Sequence, residues 1–197
     1  MAISAAEVKK LREATGAAML DCKNALEQNG GDFDKAMEWL KEKGLAKAAK
    51  KAARPTLDGR VEVYIHPGNR VAVMVEVNCE TDFVAKTEAF QNFTHEIALH
   101  IAMAAPKYVD VADIPAADLE AAKADFHAQA LAEGKPAPVA DKIAEGKLEK
   151  FYQETCILRQ PFVKDEEKTI SQMLKEAIAS IGENMNIRRF VRYELGQ

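Results

Sequence analysis

A chain of 197 residues, 48% hydrophobic and 29% charged, is long enough to bury a core of its own and too apolar for global disorder. Its 27 Lys and Arg against 31 Asp and Glu leave a net charge of −4, without the basic excess of a protein whose main work is neutralising phosphates. Residues 1–54 read as a small all-helical module. Ser4-Ala5-Ala6-Glu7 is a capping-box pattern, Val8, Leu11 and Arg12 follow, and Gly16 offers a stop. A second helix is expected over Ala17–Gln28, with Met19, Cys22 and Leu26 near one face and Leu20 beside them. Asn29-Gly30-Gly31 ends it, because glycine accepts the left-handed backbone of a C-cap. Asp32 then caps a third helix carrying Phe33, Ala36, Met37 and Leu40 at helical spacing. Leu45–Arg54 is alanine-rich and basic and reads as a solvated linker helix, ended by Pro55, the first domain boundary. The expected domains are therefore 1–54, helical, and 55–197.

Beyond Pro55 the period changes. Val61, Val63 and Ile65 alternate with polar or aromatic neighbours, Pro67-Gly68-Asn69 supplies a turn, and Val71, Val73, Val75 and Val77 alternate again, which predicts an antiparallel hairpin. A long helix is expected from Thr87 or Glu88 to about Ala104, with Phe90, Phe93, Ile97 and Ile101 on its apolar stripe. Residues 106–115 read as loop, 116–132 as helix, and 138–154 as a helix broken near Gly146. Thr169–Ile181 is amphipathic, with Ile170, Met173, Leu174, Ala177, Ile178 and Ile181 turned inward, and Ile187–Leu195 alternates as a strand. The fold class expected is α+β: a three-helix module, then a small antiparallel sheet with packed helices.

Searching for chemistry excludes more than it finds. His95 and His100 lie five residues apart, about 140° around a helix, which is poor geometry for one zinc; one imidazole is expected in the core and one in solvent. Neither Gly134-Lys135 nor Gly146-Lys147 continues as a phosphate loop, and no nucleophile elbow or dinucleotide fingerprint occurs. The expectation is a binding protein, with no enzyme activity and no cofactor. Lys47, Lys50, Lys51 and Arg54 share a helical face, but the acidic net charge argues against direct nucleic-acid binding. Met1–Leu11 reads as an amphipathic helix without a signal-peptide core, and Ile97–Ala105 is too short to span a membrane, so a cytoplasmic location is expected. Cys22, Cys79 and Cys156 are widely spaced and expected as reduced thiols, buried or half-buried. One junction stands out: Asn78-Cys79-Glu80-Thr81-Asp82-Phe83-Val84 sets a phenylalanine in polar surroundings. By spacing alone, Phe83 reads as a staple folded back on the sheet edge.

Several blocks together carry a resemblance: Val8–Lys23, Lys43–Ala52, Val77–Ala85, Gly134-Lys135-Pro136, Gln160–Val163, Gly182-Glu183-Asn184 and Arg188-Arg189-Phe190. In these, nearly end to end, the chain resembles the elongation factor Ts family, guanine nucleotide exchange factors for elongation factor Tu in bacterial translation. The resemblance implies a first module similar to ubiquitin-associated domains that packs on the GTPase, with Arg12, Met19 and Leu20 as contact residues. It also implies that Thr81, Asp82, Phe83 and Val84 disturb the partner's magnesium and nucleotide site, which makes Phe83 an intruding group and not a staple. Ala18-Met19-Leu20 departs mildly from the Gly-Met-Met of many members. Many members are longer, with two copies of the core subdomain and an inserted coiled coil. This chain is similar to the short ones, which implies a homodimer and a two-plus-two complex with elongation factor Tu.

Overall fold

The computed structural model describes residues 3–196, so Met1 and Ala2, part of the stretch expected as an amphipathic helix, lie outside the described residues. Helices α1 (Ala5–Thr15), α2 (Met19–Gln28) and α3 (Phe33–Lys51) come first. The capping box forms as expected: Ser4 Oγ accepts from Glu7 N–H while the Glu7 carboxylate accepts from Ser4 N–H, and Gly16 closes α1 with φ 66°. Asp32 caps α3 by accepting from Lys35 N–H. Val8, Leu11, Cys22, Ala25, Leu26, Ala36 and Leu40 form the buried centre of this bundle, bordered by Ile3, Ala17, Phe33 and Trp39. The third helix and the basic linker helix prove to be one uninterrupted α3: Gly44 is carried inside it at a cost of only about 1 kcal/mol, and Ala48 beyond it is itself buried.

Strands β1 (Asp58–Ile65) and β2 (Val71–Cys79) make the expected hairpin, and β5 (Met185–Glu194) joins to give the order β1-β2-β5. Gly59, at φ 149°, permits the close crossing of the strands: a Cβ there would meet the Val77 carbonyl at 2.3 Å. Val73, Val75 and Val77 are fully buried, whereas Val63, Ile65, Met74, Val191 and Tyr193 stand exposed on the same three strands. A one-turn helix, α4 (Asp82–Ala85), precedes α5 (Glu88–Ala104), whose Phe90, Phe93, Ile97 and Ile101 are buried as the stripe predicts.

Helices α6 (Ala116–Ala132) and α7 (Ala137–Thr155) follow. They form an antiparallel pair, with Phe126 and Phe151 edge to face at 6.3 Å and Ala130 and Ala140 buried. The break expected near Gly146 does not occur. A glycine inside a helix costs only about 1 kcal/mol, and the packing against α6 outweighs it. The loop after α5 contains a 3-10 turn at Val111–Asp113 and a bridge between Tyr108 and Cys156. A second small hairpin, β3 (Pro161–Phe162) with β4 (Asp165–Thr169), carries no apolar alternation and was not foreseen. Helix α8 (Ile170–Ile181) buries Ile170 and Ile178, while Met173, Leu174, Ala177 and Ile181 are only half-buried.

The chain divides into two compact units. One takes residues up to Val61 with Glu76–Thr94 and Gln172–Ile187; the other takes Glu62–Val75, His95–Ser171 and the chain from Arg188. Among the described residues no helix is long and apolar enough to cross a membrane.

Candidate functional site

Strand β2 ends at Cys79, whose buried thiol donates to the Thr81 carbonyl at 3.1 Å. Burial pushes that thiol up to about 11, so it stays protonated at neutral pH. Thr81 keeps extended backbone, and its Oγ1 accepts from Val84 N–H, which starts α4. Asp82 opens the turn and pairs with Lys86 Nζ at 2.6 Å, an i,i+4 pair. The Lys86 hydrogen bond holds the Asp82 carboxyl below the usual range, so both groups are charged. Ala85 is buried and anchors the turn from below. Thr87 Oγ1 donates to the Val84 carbonyl and accepts from Phe90 N–H, passing the chain into α5.

Phe83 sits at the crest of this turn with 79% of its surface in solvent. The staple expected from spacing is not formed. The cap at Thr81 turns the chain so that Ala85, not Phe83, faces inward, and the ring has no core to enter. Val84 is half-buried, and Thr81 is exposed.

The turn is braced from a distant part of the chain. Glu183 Oε2 accepts from the N–H of Glu80 at 3.1 Å and of Thr81 at 3.0 Å, and Glu183 Oε1 accepts from the Thr81 hydroxyl at 2.7 Å. Asn184 N–H donates to Glu80 Oε1 at 2.6 Å, which holds the Glu80 carboxyl low, and Arg54 reaches the same oxygen at 3.4 Å. Asn184 Nδ2 donates to the carbonyls of Ala52 and Arg54 beyond the end of α3. Composition and periodicity gave no sign of this brace, which spans more than a hundred positions in sequence. Its one trace was the Gly182-Glu183-Asn184 block.

In the helical bundle, Arg12 is exposed in the last turn of α1. Met19 and Leu20 open α2 with 49% and 69% exposure, while Cys22, Ala25 and Leu26 take the buried side. Asp21 accepts from Lys47 at 2.8 Å and Lys43 at 3.3 Å, which holds its carboxyl low and ties the first turn of α2 to α3. Arg12, Met19, Leu20 and the Thr81–Val84 turn belong to the same compact unit. Lys47, Lys51 and Arg54, three of the four cations on the basic face, are occupied by Asp21, the Gly182 carbonyl and Glu80.

The two histidines part as expected. His95 is half-exposed, its Nδ1 3.3 Å from Glu62. His100 is fully buried: Nδ1 accepts from Val163 N–H, which leaves the proton on Nε2 for Gln160 Oε1 at 2.9 Å. Among the described residues no group of three or more His, Cys, Asp or Glu is placed to hold a metal ion. Cys22, Cys79 and Cys156 are all free and buried.

Comparison with known proteins agrees with the blocks noted above. Over 195 residues the chain is 58% identical to an elongation factor Ts of Caldanaerobacter subterraneus subsp. tengcongensis, covering 99% of this chain and 98% of that one. It is 56% identical to that of Carboxydothermus hydrogenoformans, covering 99% and 90%, and 53% identical to that of Moorella thermoacetica, covering 99% and 96%. The profile of the family described as Elongation factor TS matches residues 8–197, and the chain belongs to that family.

Proposed function

We infer that this chain is a guanine nucleotide exchange factor of translation elongation, acting in the cytoplasm to release GDP from elongation factor Tu. One observation carries the reading: Phe83 is held in solvent at the crest of a capped turn, within the block by which the chain resembles exchange factors. Such a factor transforms no substrate and needs no cofactor of its own. It binds the nucleotide-free partner more tightly than the nucleotide-bound one, and linkage makes the effect reciprocal. A thousandfold weakening of nucleotide requires about 4 kcal/mol of differential interaction. Burying one phenylalanine contributes about 1.5–3 kcal/mol, so Phe83 acts together with a broader interface and with loss of the partner's magnesium contacts.

The rest of that interface is assigned to residues 1–54, a UBA-like module contacting the GTPase through Arg12, Met19 and Leu20, with 55–197 as the core. Their exposure supports the assignment. The core is proposed to pair with a second copy, giving a two-plus-two complex. Val63, Ile65, Met74, Val191 and Tyr193 leave apolar surface on a three-stranded sheet, and such strands favour a partner. Engagement of Lys47, Lys51 and Arg54 within the chain supports a partner other than nucleic acid. The test is release of labelled GDP from elongation factor Tu with and without the chain. Acceleration is expected, and an unchanged rate with micromolar nucleotide binding by the chain itself would refute it.

A further inference from the structure

We propose that Glu183 is a positioning residue for exchange: it fixes the turn that presents Phe83 and acts on the GTPase only through that ring. The inference rests on the exchange reading of Phe83 given above. A helix of four residues has too few internal hydrogen bonds to hold itself, so the direction of Phe83 is set by what surrounds α4. The Thr81 hydroxyl supplies one cap, to Val84 N–H. The Thr81 carbonyl accepts from the Cys79 thiol and from Ala85 N–H, while its donors are held by Glu183, which takes the N–H groups of Glu80 and Thr81 on one oxygen and the Thr81 hydroxyl on the other. Charge-assisted bonds of this kind are about twice as strong as neutral ones, and three on one carboxylate fix both its position and that of its partners.

Glu183 is placed as strictly as the turn it holds. Helix α8 ends at Ile181, and Gly182 reverses the chain at φ 95°, a backbone that other residues rarely adopt. Lys51 Nζ donates to the Gly182 carbonyl, and Asn184 is bound on one side to Glu80 and on the other to the carbonyls of Ala52 and Arg54. Gly182-Glu183-Asn184 thus clasps the end of α3 to the β2–α4 junction. An intruding ring must arrive already oriented, because each side chain or loop ordered during association subtracts from binding. The brace meets that cost in the free protein.

The test pairs Glu183→Ala with Phe83→Ala and reads two quantities. In the free chain, amide exchange at Glu80 and Thr81 is followed by NMR. Glu183→Ala is expected to speed both by about tenfold or more while α5 amides keep their protection. In GDP release from elongation factor Tu, Glu183→Ala is expected to lower the maximal rate about fivefold to tenfold, with the half-saturating concentration within about twofold, a split that general destabilisation does not produce. The double variant is expected to be no slower than Phe83→Ala alone, since both substitutions remove the same action. Glu183→Gln keeps one accepting oxygen and is expected to show a smaller change of the same sign, which covers the case in which the alanine variant does not fold. Unchanged amide exchange in both Glu183 variants overturns the proposal, and so does a double variant slower than Phe83→Ala by the full Glu183→Ala factor. A Phe83→Ala chain as fast as the wild type overturns the exchange reading of Phe83 and the functional half of this proposal. The amide measurement, made without the GTPase, separates that failure from failure of the brace.

Discussion

Truncating Phe83 to alanine separates a ring that works on a partner from one that holds its own fold. With 79% of its surface already in water, the ring gives up little packing when removed, and the cost to folding is about 0.5 kcal/mol or less. Phe90, seven positions on and fully buried, is the internal control, where truncation costs about 3–5 kcal/mol. For a chain of this length each kcal/mol moves the melting temperature by about 2–4 °C. Phe83→Ala should therefore melt within about 2 °C of the wild type and Phe90→Ala roughly 6–20 °C below it. Exchange should follow the opposite order. If the ring enters the GTPase, its loss removes about 1.5–3 kcal/mol, and GDP release should slow about 10- to 150-fold. Asp82→Ala should slow release more mildly, because its exposed pair with Lys86 steadies the turn but supplies no buried area. Thermal melts and labelled-GDP release are measured on the same samples. A large fall in melting temperature for Phe83→Ala, with unchanged exchange by the folded fraction, would return the ring to a structural staple and refute the reasoning.

Further outcomes are expected. Replacing Met19 and Leu20 together by alanine should weaken binding to elongation factor Tu by tenfold or more and leave the melt nearly unchanged, since both are exposed; unaltered affinity would remove the module from the interface. Tyr193→Asp, on a residue 72% exposed at the sheet, should shift sedimentation from dimer to monomer at micromolar concentration. A wild-type chain that is monomeric and fully active would refute the dimer. Burial lowers the folded-state pKa of His100, so the unfolded chain takes up the proton first. Its contribution is complete above about pH 6.5 and is lost as pH falls toward the lowered value. Between pH 7.5 and 5.5 the wild type should thus lose more stability than His100→Gln, and parallel pH profiles would contradict the lowering of the His100 pKa by burial. With three buried thiols, one held up to about 11, a disulfide reagent at pH 8 should label the folded chain slowly and the denatured chain at all three positions. Rapid labelling of Cys79 in the folded chain would count against its burial.

Local rules carried most of the fold. The Ser4 and Asp32 caps, the Gly16 stop, the alternating valines of β2 and the Phe90–Ile101 stripe each depend on neighbours within a few residues, and all formed as read. What failed depended on distant contacts. Gly146 looks like a break, yet it sits exposed in an unbroken α7 that packs on α6 at other positions, and Asp165–Thr169 gives no strand signal because a two-residue partner strand, and no apolar face, defines it. Phe83 is the informative case at the site. Hydrophobicity sends a phenylalanine inward, and only the cap at Thr81 with the carboxylate of Glu183 reverses that. The alternation in β1 was plain, yet it did not tell which set would be buried. Val63 and Ile65 lie outside while Glu62 is buried within reach of His95.

That reversal in β1 and the exposure of Phe83 have a common physical meaning. A chain free to minimise its own energy would bury Val63, Ile65 and Phe83, since each offers about 1.5–3 kcal/mol on burial. Leaving all three in water lowers the stability of the isolated chain, and the loss is recovered only when another surface covers them. On the exchange reading proposed above, the recovery at Phe83 must be conditional. If the ring were covered equally well by nucleotide-bound and nucleotide-free partner, it would add affinity and no exchange, because a ligand with equal affinity for two states shifts neither. The ring therefore has to be rigidly aimed, so that it fits one state and clashes with the other. A flexible ring would adapt to both and lose the discrimination. The sheet residues carry no such demand: Val63, Ile65 and Tyr193 need only permanent cover, which a second copy would supply on the pairing proposed above. The two exposed apolar features accordingly differ in construction. One is a single ring on a turn locked by the Glu183 carboxylate, and the other is a broad set of side chains on strands that need no special brace.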